Sequence, residues 1–468
     1  MKKDGELNLL KKIGLYFLGN FSTKIIGTLL IPIYAIYVLP EELGEIDLQQ
    51  NIASIVAPII VIGIWEAILK FGLSKDDLSK KKVVNTTFFY VLMSGIVSFI
   101  VIYPMYIFFI DNTKLSLFYT LLIVTTPFVS VLQYYTRMYK KNSLFVSSSI
   151  LASVVRFLLL LITIIFYKLG IYGLIISLLG SQIFLMIYLW IGLEMSKKLE
   201  LGSFDVNLLK KMIKFSFPLA INLISLWFLS GFTRMYINFS HGSEANGIYT
   251  FGLQCSSIVA MLGQVVNMAT LEETLASSKK EFPKKFETYT DTLINIFFDM
   301  STLALPFISI FFLLISKSSF SESFIYVPIL ILNAIFVSVA SNFNNVFQFN
   351  GKTKFVFVTT LISAIVNIVV AIILNILLGV KGIVIAQLIG SLSLFILRYF
   401  LIKKDVFYRL KMNQFIISLL LFIFSSVLSL KLNLKLSLVA VVVLTLVMIK
   451  KNKKIIAQVI FKLKNRIT

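Results

Sequence analysis

The sequence predicts an all-α polytopic membrane protein: about 14 transmembrane helices, set out as two six-helix bundles in a pseudo-two-fold repeat plus two C-terminal helices. Three observations carry that prediction. Apolar runs of roughly 20 residues recur along the whole chain. Lysine and arginine fall into alternate loops. Two stretches 203 residues apart share a pattern.

The first observation sets the class. The chain has 468 residues, of which 58% are hydrophobic and 14% charged, with mean hydropathy +0.92. A soluble fold of this length has too little interior for that much apolar surface. Spans are expected at 13–38, 45–70, 85–110, 115–137, 144–167, 171–194, 214–239, 246–270, 287–314, 324–348, 354–379, 382–402, 413–430 and 436–449. The first apolar run outlasts a signal-peptide core and no small-residue cleavage site follows it, so it reads as a retained helix.

The second observation sets the orientation. An even number of spans puts both termini on one side. With the termini in the cytoplasm, 35 Lys and Arg fall in cytoplasmic segments and 6 in outer loops. That asymmetry follows the positive-inside rule. The net charge of +22 then reflects topology, and no nucleic-acid partner is implied. The expected location is a bacterial cytoplasmic membrane, since Lys-, Ile- and Asn-rich usage suggests an AT-rich source. EELGEID (41–47) and SHGSEANG (240–247) are expected as solvated outer turns closing the first and seventh hairpins. The tail 450–468 spaces its apolar residues like one face of a helix and is expected to lie on the anionic inner leaflet.

The third observation divides the chain. GEIDLQQNIASIV (44–56) and GIYTFGLQCSSIV (247–259) share Gly, Ser, Ile and Val at the same offset. GLIISLLGS (173–181) and GIVIAQLIGS (382–391) match with one gap. The expected parts are a six-helix bundle over 1–195, a cytoplasmic linker over 196–212 and a second six-helix bundle over 213–402. Two further helices over 403–449 and the basic tail 450–468 complete the chain. Bundles of even span number share an orientation, as in many secondary transporters.

Candidate chemistry lies in the polar residues that the spans contain. Cys255 is the only cysteine and His241 the only histidine. An internal disulfide is therefore impossible, and histidine-based metal sites and Ser/His/Asp chemistry gain no support. No phosphate-binding loop occurs: GKT at 351–353 lacks its upstream glycine. No catalytic residue, metal or cofactor is assigned. Orientation leaves three basic residues unexplained: Lys24, Arg156 and Arg234. Lys24 lies 12 residues past Lys12, roughly 18 Å of helix and beyond the reach of a lysine stem. Charges within spans are costly and tend to be functional, so these three are the candidate anion contacts, a pyrophosphate being a good match. Asp299 is expected either to pair with a base or to bind a coupling ion. Glu66 and Lys70, four apart, are expected to form a local ion pair. Asn20, Asn51, Gln254 and Asn345 are the candidate sugar contacts.

Three blocks resemble a known family. FLGNFSTKIIGTLLIPIYAIYVLPEELGEIDL (17–48), SFPLAINLISLWFLSGFTRMYINFSHGSEANGIYTFGLQ (216–254) and SAIVNIVVAIILNILLGVKGIVIAQ (363–387) look like Wzx-type polysaccharide flippases. The resemblance implies the multidrug/oligosaccharidyl-lipid/polysaccharide exporter fold. It also implies a non-enzymatic flippase that moves undecaprenyl-pyrophosphate-linked oligosaccharide from the inner to the outer leaflet, for capsule or another surface polysaccharide. Membrane lipids and the polysaccharide polymerase machinery are then the expected partners. Members often carry Asp-Arg in the seventh span; here the pair is Thr233-Arg234. The alternatives are a lipid II flippase, a multidrug exporter of the same superfamily, and a membrane glycosyltransferase or polymerase.

Overall fold

A computed structural model describes residues 23–73, 76–200, 204–275, 282–350, 352, 354–406 and 408–451. Among them every regular element is helical. In chain order they are α1 (Thr23–Tyr37), α2 (Pro40–Ile60), α3 (Trp65–Gly72), α4 (Asp77–Phe109), α5 (Thr113–Met138), α6 (Asn142–Leu160), α7 (Ile171–Gly192), α8 (Met195–Lys198) and α9 (Val206–Ser230). There follow α10 (Phe232–Leu275), α11 (Phe282–Leu314), α12 (Val327–Phe349), α13 (Lys354–Leu378), α14 (Val380–Val406), α15 (Met412–Leu430) and α16 (Leu434–Lys451). Nine helices among the described residues are long and apolar enough to cross a membrane, and the pair α2–α3, bent by 47°, makes a tenth. α1, α9, α10 and α16 cover the remaining expected spans. The chain is an all-α, multi-pass membrane protein.

Local chemistry accounts for the breaks. The α2–α3 bend follows Pro58 and carries Ile62 and Gly63 at positive φ, the usual consequence of proline in a helix. α6 ends in a π-turn, Leu161–Phe166, where the Thr163 hydroxyl donates to Leu159 O and Gly173 O. The expected seventh span is two helices that meet at Gly231. Of the expected turn at 240–247, only Gly242 leaves helical geometry, at φ 87° and ψ 171°, a conformation that glycine alone adopts without strain.

The first hairpin corrects an expectation. EELGEID is no solvated turn: the chain leaves helical geometry only at Val38 and Leu39, and Pro40 opens α2 at a position where its missing N–H costs nothing. Glu42 accepts from the Leu39 N–H and from the Ile171 N–H. Asp47 is buried.

The chain divides into two compact units: residues 1–251 with 368–383, and 252–367 with 384–468. In the first, α5 packs against α2, α3, α4 and α7. Its apolar core gathers Val61, Ile64, Ile68, Val84, Tyr135 and Leu189. In the second, α11 packs against α12, α15 and α16. Two buried seryl contacts pin these helices, Ser309 to Ser429 O and Ser425 to Thr302 O. Of the spans, α4 buries only 11% of its most apolar window, so its Met93, Val97 and Val101 present the surface that hydrocarbon covers.

Candidate functional site

In the first unit the backbone sets the site. α2 and the stretch of α10 after Gly242 meet through two glycines, Gly44 and Gly247. The Asn246 amide donates to Gly44 O at 2.8 Å, and Ser243 Oγ donates to the Glu45 carboxylate at 3.2 Å. One turn further along α2, Asp47 accepts from Arg234 at 3.0 Å. The acid that this family resemblance places beside the arginine comes instead from another helix. The pair is incompletely matched. Asp47 Oδ2, Arg234 Nε and the neighbouring Thr233 hydroxyl are buried without hydrogen-bond partners among the described residues.

The other two basic candidates have no such partner. Arg156 is half-buried on α6. It forms no ion pair among the described residues, and its Nε is buried with no acceptor. Lys24 is exposed on α1 and pairs with no carboxylate among the described residues. Among the described residues, Arg234 is thus matched by a carboxylate while Lys24 and Arg156 are not.

The amide candidates differ in what they are free to do. Asn51 bridges α2 to α9: its Nδ2 donates to Gly231 O at 2.7 Å and its Oδ1 accepts from Trp227 Nε1 at 2.9 Å. Both ends of that amide are committed to helix packing. Asn20 lies outside the described residues. In the second unit, Gln254 is half-buried and its Oε1 has no partner among the described residues. Asn345 donates to Asn342 Oδ1 at 3.1 Å, and Asn342 donates to Thr290 at 2.8 Å.

Asp299 has a basic partner. Lys451, at the end of α16, reaches it at 2.6 Å and also donates to Ser418 at 2.9 Å. Eight residues earlier on α11, Asp291 forms an ion pair with Lys411 at 2.8 Å and accepts a hydrogen bond from Tyr408 at 2.9 Å. The Asp291 hydrogen bond and charge hold the Lys411 ammonium above its ordinary pKa.

One local reading is corrected. Glu66 and Lys70 do not pair. Glu66 accepts from Tyr134 at 2.6 Å, while the Lys70 ammonium sits 3.8 Å from the centre of the Phe215 ring. Helical spacing permits the ion pair, but a desolvated hydroxyl and an aromatic face offer each group a better partner. Arg398, which lies four residues before the end of the expected span 382–402 and is not among the candidates, is inside α14 and 3% exposed. Its guanidinium donates to Thr359 at 3.1 Å, Ala340 O at 2.9 Å and Thr360 at 2.9 Å, tying α12, α13 and α14 together. Lysine cannot reproduce that fork. Arg398→Lys is expected to cost on the order of 3 kcal/mol, seen as a lower apparent Tm of the detergent-purified protein; an unchanged Tm would refute the clamp. A charge so close to a predicted span end carries no sequence mark distinguishing clamp from loop.

Residues 9–271 match the family described as "Polysaccharide biosynthesis protein". Among solved structures, the chain is similar to an inward-facing multidrug resistance MATE family transporter of the MOP superfamily. The identity is 18%, the TM-score 0.62, and the match covers 84% of this chain and 94% of that one. It is also similar to the lipid II flippase MurJ in an inward closed conformation, at 15% identity and TM-score 0.66, covering 93% of this chain and 98% of that one. At such identities the likeness is one of fold. No curated protein matches the sequence.

Proposed function

This chain belongs to the polysaccharide biosynthesis protein family, and on that premise we propose that it is a flippase for undecaprenyl-pyrophosphate-linked oligosaccharide, moving it from the inner to the outer leaflet of a bacterial cytoplasmic membrane for capsule or another surface polysaccharide. The observation that carries this reading is Arg156, a half-buried guanidinium within a membrane span, with no ion pair among the described residues and an unsatisfied Nε. Such a group is costly in a bilayer unless an anion arrives to meet it. A guanidinium matches phosphoryl oxygens in a bidentate fork. Lys24, which pairs with no carboxylate among the described residues, supplies a second cation. Arg234 contributes through its unpaired Nε, the rest of its charge being matched by Asp47. Gln254 and Asn345 are the sugar contacts in this reading. Asp299 is the coupling acid, its carboxylate balanced by Lys451.

The test is translocation by the purified protein in proteoliposomes. A fluorescent undecaprenyl-pyrophosphate oligosaccharide is loaded in one leaflet, and the head group's exposure to a membrane-impermeant quencher is followed. Transfer at least about tenfold faster than in protein-free vesicles is expected, tenfold being a barrier change of about 1.4 kcal/mol. Equal rates with and without protein overturn the proposal. Faster transfer of lipid II than of the oligosaccharide carrier reassigns the cargo within the same chemistry. Transport of an organic cation alone points to the multidrug reading.

A further inference from the structure

The Asp47–Arg234 pair, in the first unit, has a form that a structural ion pair does not need. Among the described residues one contact closes it, Arg234 Nη1 to Asp47 Oδ1 at 3.0 Å. A guanidinium and a carboxylate can meet through two parallel hydrogen bonds. Here Asp47 Oδ2 and Arg234 Nε are both buried, and neither has a hydrogen-bond partner among the described residues. The two side chains are also unequally covered: that of Asp47 is 9% exposed and that of Arg234 30%. The carboxylate is sunk between helices, while the guanidinium keeps an open edge.

Packing does not call for the acid. In the repeat, Thr250 takes the place in α10 that Asp47 has in α2, 203 residues earlier. Thr250 is buried, so a neutral side chain fills that position in the second copy. Gly44 and Gly247 bring the two helices together one turn before it, and Asn246 donates to Gly44 O. The helices therefore meet without a charge. A largely buried ion pair returns its desolvation cost only when its geometry is excellent and its remaining polar atoms are satisfied. This pair meets neither condition.

The charge balance gives the acid a use. Arg156 forms no ion pair among the described residues, whereas Arg234 has one. An anion that meets Arg156 meets an uncompensated cation. One that meets Arg234 competes with Asp47. Nε and the open edge offer the anion a first hold before the Nη1–Oδ1 bond breaks, and Asp47 takes that bond back when the anion leaves. A transported group must be held firmly enough to enter and weakly enough to depart. A carboxylate tethered beside the guanidinium supplies the weakness and leaves the positive charge in place. We propose that Asp47 is a positioning residue for release: it competes with the phosphoryl oxygens of the substrate for Arg234 and recovers the guanidinium as they go. The identity of that substrate rests on the flippase reading; the exchange itself needs only a pyrophosphate and these two side chains. Asp47 lies seven residues into α2 and Arg234 five residues before the end of the expected span 214–239, about 10 Å and about 8 Å of helix. In the proposed orientation both belong to the outer side, where the substrate is released.

The experiment measures affinity and turnover separately. Farnesyl pyrophosphate, a pyrophosphate on an isoprenyl tail, is titrated calorimetrically into the full-length protein in mild detergent. Asp47→Asn keeps an oxygen acceptor for Nη1 and removes the charge, so it is expected to bind about tenfold more tightly than the unaltered protein, through slower dissociation. Arg234→Gln is expected to bind about tenfold more weakly. Adding Asp47→Asn to it should change nothing further, because Asp47 acts through Arg234. In proteoliposomes Asp47→Asn should lower kcat and KM for the oligosaccharide carrier together, each about tenfold, and Asp47→Glu should restore both. Unchanged, weaker or undetectable binding by Asp47→Asn overturns the proposal, as does an equal gain from Asp47→Asn in the Arg234→Gln protein. Should Asp47→Asn not fold, Arg234→Lys decides. It keeps a charge opposite Asp47 and lacks Nε, so binding about tenfold weaker at unchanged Tm is expected; equal binding overturns the exchange. Calorimetry reads binding without translocation. Exchange seen there while no oligosaccharide carrier moves removes the flippase reading alone. Translocation with no effect of Asp47 on affinity removes this proposal alone.

Discussion

Arg156→Ala is expected to slow translocation of a pyrophosphate-linked substrate about a hundredfold while leaving the protein in the membrane at its usual level and stability. Arg156 lies 14 residues after the start of α6 at Asn142, about 21 Å of helix. The π-turn ends 10 residues beyond it, at Phe166, about 15 Å further on. Its stem is too short to carry the charge to either end of a hydrocarbon core about 30 Å thick. A structural arginine at such depth would hold a partner, and its loss would leave that partner buried and uncompensated, costing about 3–5 kcal/mol. Arg156 has no ion-pair partner among the described residues, so its removal strands no acid, and stability should hold or rise. A desolvated cation facing a phosphate is worth at least about 2.7 kcal/mol, which is the hundredfold. Arg156→Lys keeps the charge and loses the fork, so an intermediate rate is expected. Wild-type translocation by Arg156→Ala at normal protein levels would remove the anion-contact role; a large loss of thermal stability would make it structural instead.

The second large effect is expected at the glycine contact. A methyl group on Gly44 would stand 1.8 Å from Ser243 O and 2.6 Å from Gly247 N; one on Gly247 would stand 1.7 Å from Pro40 O. Each glycine thus faces the carbonyl of the residue four before the other. The obstructing atoms are backbone, which cannot rotate away as a side chain can, so the helices must separate by more than an ångström. Overpacking of this kind costs about 3 kcal/mol. Separation would also stretch the Asn246–Gly44 and Ser243–Glu45 hydrogen bonds and, one turn on, the Asp47–Arg234 pair. Gly44→Ala and Gly247→Ala are each expected to lower the apparent Tm. They should also suppress disulfide formation in a Glu45→Cys/Ser243→Cys protein, whose native cysteine, Cys255, is buried. Because both act on one contact, the double variant should lose less than the sum of the two singles. Unchanged Tm and unchanged cross-linking would show that the two helices are not in close contact.

These glycines also show how far the sequence reaches. It flagged Gly44 and Gly247 as matching members of a repeat, from pattern alone. That the two matching residues touch one another is a fact about two helices meeting, which no offset encodes. The same division runs through the charges. Arg156 stood out because a basic residue deep in an apolar run is visible without a structure, and among the described residues it forms no ion pair. Arg398 did not stand out, because it lies near a predicted span end, where loop and helix charges look alike. Asp47 was read with its acidic neighbours as part of a turn, since a cluster of acids beside a proline resembles solvated chain. Its burial depends on α10 lying across α2.

The sequence by itself determined that the chain is helical and crosses a membrane many times, and roughly where each span begins and ends. Those properties are local: the length of an apolar run must match the hydrocarbon, and a helix is the form in which a single segment satisfies its own backbone there. Tertiary structure alone decided the partners. Asp47 and Arg234 are 187 residues apart, and Asp299 and Lys451 are 152 apart, whereas Glu66 and Lys70, four apart on one helix, turn to a tyrosine and a phenylalanine instead. Partner choice depends on which helix faces meet, and facing is a property of the packed bundle.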